Sequence, residues 1–464
     1  MRREGVPGLV GRPATELAEL VRSGAVTPPA VVRAHLEQVE AVDDQLGAFQ
    51  RVRWARARAE AEEVAARPDR SVLPLAGVPV AVKDNVPVAG EPMRWGSQAT
   101  PETPQSEDHE VVRRLRRAGA VVLGITRMPE LGAWATTDGP WGIARNPWNP
   151  DRTPGGSSGG SAVAVAAGMV PVAQGNDGLG SVRIPAAACG LVGVKPGPGV
   201  VPAAIGATSW HGLAENGVMA TTVADAALVL SVMGDRPDLR DPRAPERPLR
   251  IAVSTASPLP GVRTDLELQA AVRATGRVLA GAGHRVRAAD PPYGSRLVRA
   301  GTAWWAAAVA EQAEAMAREG HLDPRRLEPR TRRHVTVGRR ALAVGLARER
   351  DLEWWRRRAE AFLAEFDVLL TPALARPPLR AAEWHRRPWL ANVVANAAYA
   401  PFAAPWNLAG VPAAVVPAGV HSTGVPLGVQ LVGGRGREGT LLALAAQLES
   451  LRPWPRHAPV SGLR

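Results

Sequence analysis

The sequence predicts an α/β fold, and two observations carry the prediction. Stretches with apolar residues at helical spacing alternate with short, apolar, β-branched runs of strand length. The composition, 45% hydrophobic and 22% charged over 464 residues, is that of a globular chain able to bury a large core. Length alone allows one large domain or two to three ordinary ones.

The first elements are helical. Residues 14–66 read as helix, with Thr27 as an N-cap and Pro28 at the first helical position. Val31, Val32, Leu36, Val39 and Val42 line one apolar face, and 51–66 predicts a second, more exposed helix. From Leu73 the character changes. Val78–Val82 predicts a buried strand that delivers Lys83, Asp84 and Asn85 at its end. Residues 110–118 predict a basic helix stopped at Gly119, and 120–124 the next strand. In the loop 132–150, Trp134, Trp141 and Trp148 are expected to pack on the core.

Pro154 to Pro196 is the most informative stretch. Two Gly/Ser clusters, GGSSGGS at 155–161 and GNDGLGS at 175–181, flank a small-residue run at 162–167. Two such turns around a short helix bring serine hydroxyls and free backbone N–H groups to one place. That is the material of a serine nucleophile with an oxyanion hole. Ser181 follows a turn-forming Gly-Asn-Asp-Gly run and is the exposed nucleophile position. A phosphate-binding loop is excluded, because no GxxxxGK[ST] is present.

Further on, helices are expected at 223–233, 266–280, over most of 295–366, and at 440–448. Strands are expected at 249–253, 367–372, 411–416 and 428–432. Trp304, Trp305, Trp354 and Trp355 are read as packing residues.

The net charge is +12 and the pI about 11.1. The basic residues are scattered, so the excess is read mainly as an arginine-heavy composition, with anionic substrates and a polyanion-binding face as the lesser readings. Of 56 basic residues only Lys83 and Lys195 are lysine. Arginine stays protonated, whereas a buried lysine can be neutralised. A surviving lysine therefore suggests proton transfer, and Lys83, at the end of a buried strand, suits a base. The single cysteine, Cys189, excludes an internal disulfide framework and reads as a small buried residue. No run of 18 apolar residues predicts a membrane span. Arg2–Arg3 is not followed by an apolar export segment, so a cytoplasmic location is expected.

With Lys83, GGSSGGSA and GNDGLGSVRIPAAACGLVGVKP in that order, the chain resembles the amidase signature family. GVPVAVKDN, RRLRRAGAVVLGITRMPEL, NLAGVPAAVVPAG (407–419) and GVPLGVQLVG (424–433) extend the match. The resemblance implies one α/β domain over 1–464, with a mixed sheet of about eleven strands covered by helices on both faces. Its motif region spans 73–200, and a variable helical region at about 235–390 shapes the substrate pocket. It also implies catalytic roles: Ser181 as nucleophile, Ser157 as bridging serine at a cis peptide bond, and Lys83 as base. Gly178, Leu179, Gly180 and Ser181 would supply the oxyanion hole, and Ser158, Asp177 and Arg183 would support the site.

The implied reaction is hydrolysis of a carboxamide C–N bond through an acyl-enzyme, with no metal and no cofactor. The implied partner is a small-molecule amide, with no nucleic acid and no membrane, and a homodimer is a possible assembly. If Trp384, Trp389, Tyr399, Phe402 or Trp406 faces the pocket, an aromatic or apolar acyl group is favoured. Two alternatives stand beside this. One is a glutaminase component of a glutamyl-tRNA amidotransferase, which would work together with partner chains. The other is a catalytically impaired protein on the same fold, motivated by Leu179 where the family has glycine. A positive φ at that position would strain leucine.

Overall fold

The computed structural model describes residues 8–462, so the Arg2–Arg3 reading lies outside the described residues. In chain order the early strands are β1 (Phe49–Val52), β2 (Pro79–Lys83), β3 (Val121–Thr126), β4 (Asp138–Gly139) and β5 (Gly142–Ile143). Next come β6 (Val172–Asp177), β7 (Val192–Lys195), β8 (Glu215–Ala220), β9 (Arg250–Val253) and β10 (Arg285–Ala288). The last three are β11 (Val368–Pro372), β12 (Ala413–Val420) and β13 (Pro426–Gly433). Eleven of them form one sheet in the order β1-β3-β2-β6-β8-β7-β12-β13-β11-β9-β10, and β4 and β5 form a small separate ribbon. The sheet is mixed: β2 runs parallel to β3 and β6, while β6 is antiparallel to β8. This is the single α/β domain with an eleven-stranded sheet that the resemblance implies.

Parallel pairing explains where the chemistry collects. β2 and β6 pair with Val80 opposite Val172 and Ala81 opposite Ala173. Their carboxyl ends, Lys83 and Asp177, therefore emerge at the same sheet edge. The fully buried helix Gly159–Ala166 packs behind them. Its small residues are a packing requirement, because a Cβ at Gly160 would sit 2.4 Å from the carbonyl oxygen of Ala48.

Most expected elements are present, including the helix Pro28–Leu46, capped by Thr27, and the helices between Ser295 and Glu365. One expectation is corrected. Residues 49–52 are not helical; they form edge strand β1, paired antiparallel with β3, and the next helix starts at Trp54. Tertiary pairing with the exposed edge of β3 overrides local helix preference there. The sequence pattern does not announce β6, β7, β8 or β10 as strands. The first three are buried along their whole length and so have no alternation, and β10 is a largely exposed edge. Among the described residues no helix is long and apolar enough to cross a membrane.

Candidate active site

Lys83 is the last residue of β2, and its side chain is fully buried. Its Nζ is hydrogen-bonded to Ser157 Oγ at 2.7 Å and to Asn176 Oδ1 at 2.7 Å. Asn176 is held in turn by donating to Asn85 Oδ1 at 2.7 Å. Burial pushes the lysine down from its usual range to about 7, against the pull of the Asp177 charge. The adjacent Asp84 does not pair with it. Asp84 instead accepts from the backbone N–H groups of Arg94 and Gly96, both at 2.9 Å.

The two Gly/Ser loops meet beside this lysine. The Gly156–Ser157 peptide bond is cis. The Ser158 N–H donates to the Ser181 carbonyl at 3.1 Å, and Ser158 Oγ donates to the Asn176 carbonyl at 3.2 Å, tying one loop to the other. Ser181 is partly exposed on the wall of a cavity of about 190 Å³ that Gly156 and Leu179 also line. Among the described residues nothing hydrogen-bonds its hydroxyl.

Asp177 and Arg183 hold the turn before Ser181 from behind. The guanidinium is bidentate on the carboxylate, Nε at 2.9 Å and Nη2 at 3.0 Å, with both side chains buried. Burial opposes the Asp177 charge, yet Arg183 overrides it and holds the carboxyl well below the usual range. The same carboxylate accepts from the backbone N–H of Gly180 at 2.6 Å and of Val182 at 3.2 Å.

Those bonds correct the expected oxyanion hole. The Gly180 N–H is committed to Asp177, so it is not a free donor. Gly178, Leu179 and Ser181 keep N–H groups that meet no acceptor among the described residues. The backbone strain expected at Leu179 is absent. Leucine does not take the positive φ; Gly180 does, at +121°. A Cβ on Gly180 would lie 2.5 Å from that of Ala403, so the glycine requirement is both conformational and steric.

Two supporting residues were not anticipated. Asn407 Nδ2 donates to the Asp177 carboxylate at 2.9 Å, and Gln430 Oε1 accepts from Arg183 Nη1 at 2.7 Å. Both lie in the late blocks 407–419 and 424–433, where a buried amide in an apolar run was the available signal. Asn176 and Asn85 were equally visible, as polar neighbours of Asp177 and Lys83. The tryptophans also divide differently from expectation. Trp134, Trp210 and Trp305 line the cavity, whereas Trp384, Trp389, Tyr399, Phe402 and Trp406 do not.

A family model described as Amidase matches residues 30–442. The chain belongs to the amidase family. It is similar to AmiB2 of Mycobacterium tuberculosis, an amidase by name, with 41% identity over 462 residues covering 95% of this chain and 96% of that one. It is 35% identical to the 6-aminohexanoate-cyclic-dimer hydrolase of Paenarthrobacter ureafaciens over 489 residues, 96% of each chain. A solved structure of 6-aminohexanoate cyclic dimer hydrolase with substrate matches this amidase with a TM-score of 0.83 at 31% identity, covering 98% of this chain and 99% of that one. The protein is thus an amide-hydrolysing enzyme of that family.

Proposed function

We propose that this amidase cleaves the C–N bond of a carboxamide through a serine acyl-enzyme, with Ser181 as nucleophile, Ser157 as proton relay and Lys83 as base. The supporting observation is the buried amine of Lys83, 2.7 Å from Ser157 Oγ, beside a cavity lined by Ser181. Asn176 Oδ1 can only accept, so it takes one N–H of the neutral amine. The lone pair is then left for the Ser157 hydroxyl.

In this reading Lys83 takes the proton of Ser157 as Ser157 takes that of Ser181. Ser181 Oγ attacks the amide carbon, and the carbonyl oxygen becomes an oxyanion. The N–H groups of Gly178, Leu179 and Ser181 are the donors for it, each worth about 2.7–4 kcal/mol at such a site. When the C–N bond breaks, Ser157 passes the stored proton to the leaving nitrogen. Water then attacks the acyl-enzyme by the same relay, releasing the acid and restoring Ser181.

The test is trapping. Hydroxylamine should intercept the acyl group and release it as a free hydroxamate, restoring Ser181, while peptide mapping of enzyme acid-quenched during turnover without hydroxylamine should place the acyl group on Ser181. Full amide turnover in Ser181→Ala would refute the assignment.

A further inference from the structure

Resting on Ser181 as nucleophile, we propose that the substrate of this amidase is an uncharged amide with an apolar acyl chain, and that Gly301 sets how long that chain can be. The cavity beside Ser181 has no charged side chain in its wall. Ile184, Trp210, Leu259, Leu297, Val393 and Leu408 make up much of it. Its hydroxyl and amide side chains are Ser181, Thr302 and Asn396, and two of these already bond the protein. Thr302 Oγ1 donates to the Val298 carbonyl at 2.9 Å. Asn396 accepts from the Ala135 N–H at 2.5 Å and donates to the Asn392 carbonyl at 2.7 Å. The indole N–H groups of two lining tryptophans are spent as well, Trp134 on Thr331 Oγ1 at 3.3 Å and Trp305 on the Ala133 carbonyl at 3.0 Å. Ser181 alone among the hydroxyl and amide side chains of the wall makes no hydrogen bond to the described protein, and the indole N–H of Trp210 is the other unpartnered polar side-chain group there.

A carboxylate or ammonium entering this space would lose its hydration and find no counter-ion. Free glutamine carries both charges, which disfavours a glutaminase role. With a primary amide, which releases ammonia, the acyl chain is the only part with the bulk to fill the cavity. Apolar burial then supplies the binding energy.

Gly301 lies inside the helix Ser295–Arg318, where glycine is a poor choice. No positive φ calls for it. A Cβ there would meet only Leu408 Cδ1, at 3.4 Å. Neither backbone nor packing requires a glycine, but the cavity gains the space that a side chain would take.

The experiment compares matched pairs on the native enzyme. One pair is hexanamide against adipic acid monoamide, read as kcat/KM. The other is hexyl against 5-carboxypentyl fluorophosphonate, read as the rate of Ser181 modification by intact mass. The apolar member of each pair should react at least 100-fold faster. In Gly301→Leu the hexanamide-to-propanamide ratio of kcat/KM should fall at least tenfold. Equal rates within the pairs would overturn the substrate class while leaving Ser181 as nucleophile. An unchanged ratio in Gly301→Leu would overturn the role of that glycine. No modification of Ser181 by either probe, with no amide turnover, would instead remove the nucleophile assignment and this inference with it.

Discussion

The ends of β2 and β7 carry the only two lysines of the chain, and they make an instructive pair. Lys83 and Lys195 are each the last residue of a strand, and each is fully buried. Lys83 faces a hydroxyl and an amide, Ser157 and Asn176. Among the described residues Lys195 donates only to the Pro196 carbonyl, at 2.7 Å, and feels the charges of Asp177, Glu215 and Glu438. Burial lowers both, Lys83 to about 7 and Lys195 to about 8, with Arg183 adding to the fall at Lys195. A lowered pKa therefore does not mark the base by itself. What separates them is the group within reach of the amine: a hydroxyl that can relay a proton at position 83, a backbone carbonyl at position 195.

The sharpest break in this comparison is Lys83→Ala, which should cut kcat by at least ~10³-fold, the scale of losing a member of a catalytic unit. Lys83→Arg should do no better, since arginine cannot give up its proton. A steady-state assay on a chromogenic anilide measures both. Asp177→Asn should come next, because it leaves the buried Arg183 guanidinium without its counter-charge. Urea unfolding should show a loss of about 3–5 kcal/mol.

Asn176→Ala frees the Lys83 amine to turn away from Ser157. It should lower kcat by roughly 10- to 100-fold with little change in KM, because orientation rather than binding is lost. Lys195→Met is the smallest and the most diagnostic. It should lower stability by about 1–3 kcal/mol, through the unpaired Pro196 carbonyl, and keep kcat within about tenfold. A loss as large as that of Lys83→Ala would erase the distinction between the two lysines.

The site was legible in the sequence where a local signal existed. Lys83 stood out because arginine replaces lysine almost everywhere else, and Ser181 because a glycine-rich turn precedes it, whereas the family resemblance picked Ser157 from the serines of 155–161. The supports came from too far away. Asn407 bonds Asp177 across 230 residues, and Gln430 reaches Arg183 across 247. Spacing along the chain carries no trace of such pairs. The geometry of the turn was also hidden, because one glycine of a run cannot be told from its neighbour before φ is known. Hence the weight placed on Leu179 belongs to Gly180. The fold was read well where strands were apolar and bounded. It was missed at β1 and β10, edges fixed by pairing, and at β6, β7 and β8, where small and polar residues interrupt the apolar run.

Two lysines in the whole chain make the central claim directly measurable. With lysine labelled at Cε with carbon-13, the native enzyme should give two lysine resonances that move with pH. One, absent in Lys83→Arg, should titrate near 7, and kcat/KM should rise tenfold per pH unit below that point and level off above it. A Lys83 resonance that titrates in the ordinary lysine range, near 10.5, would contradict the account.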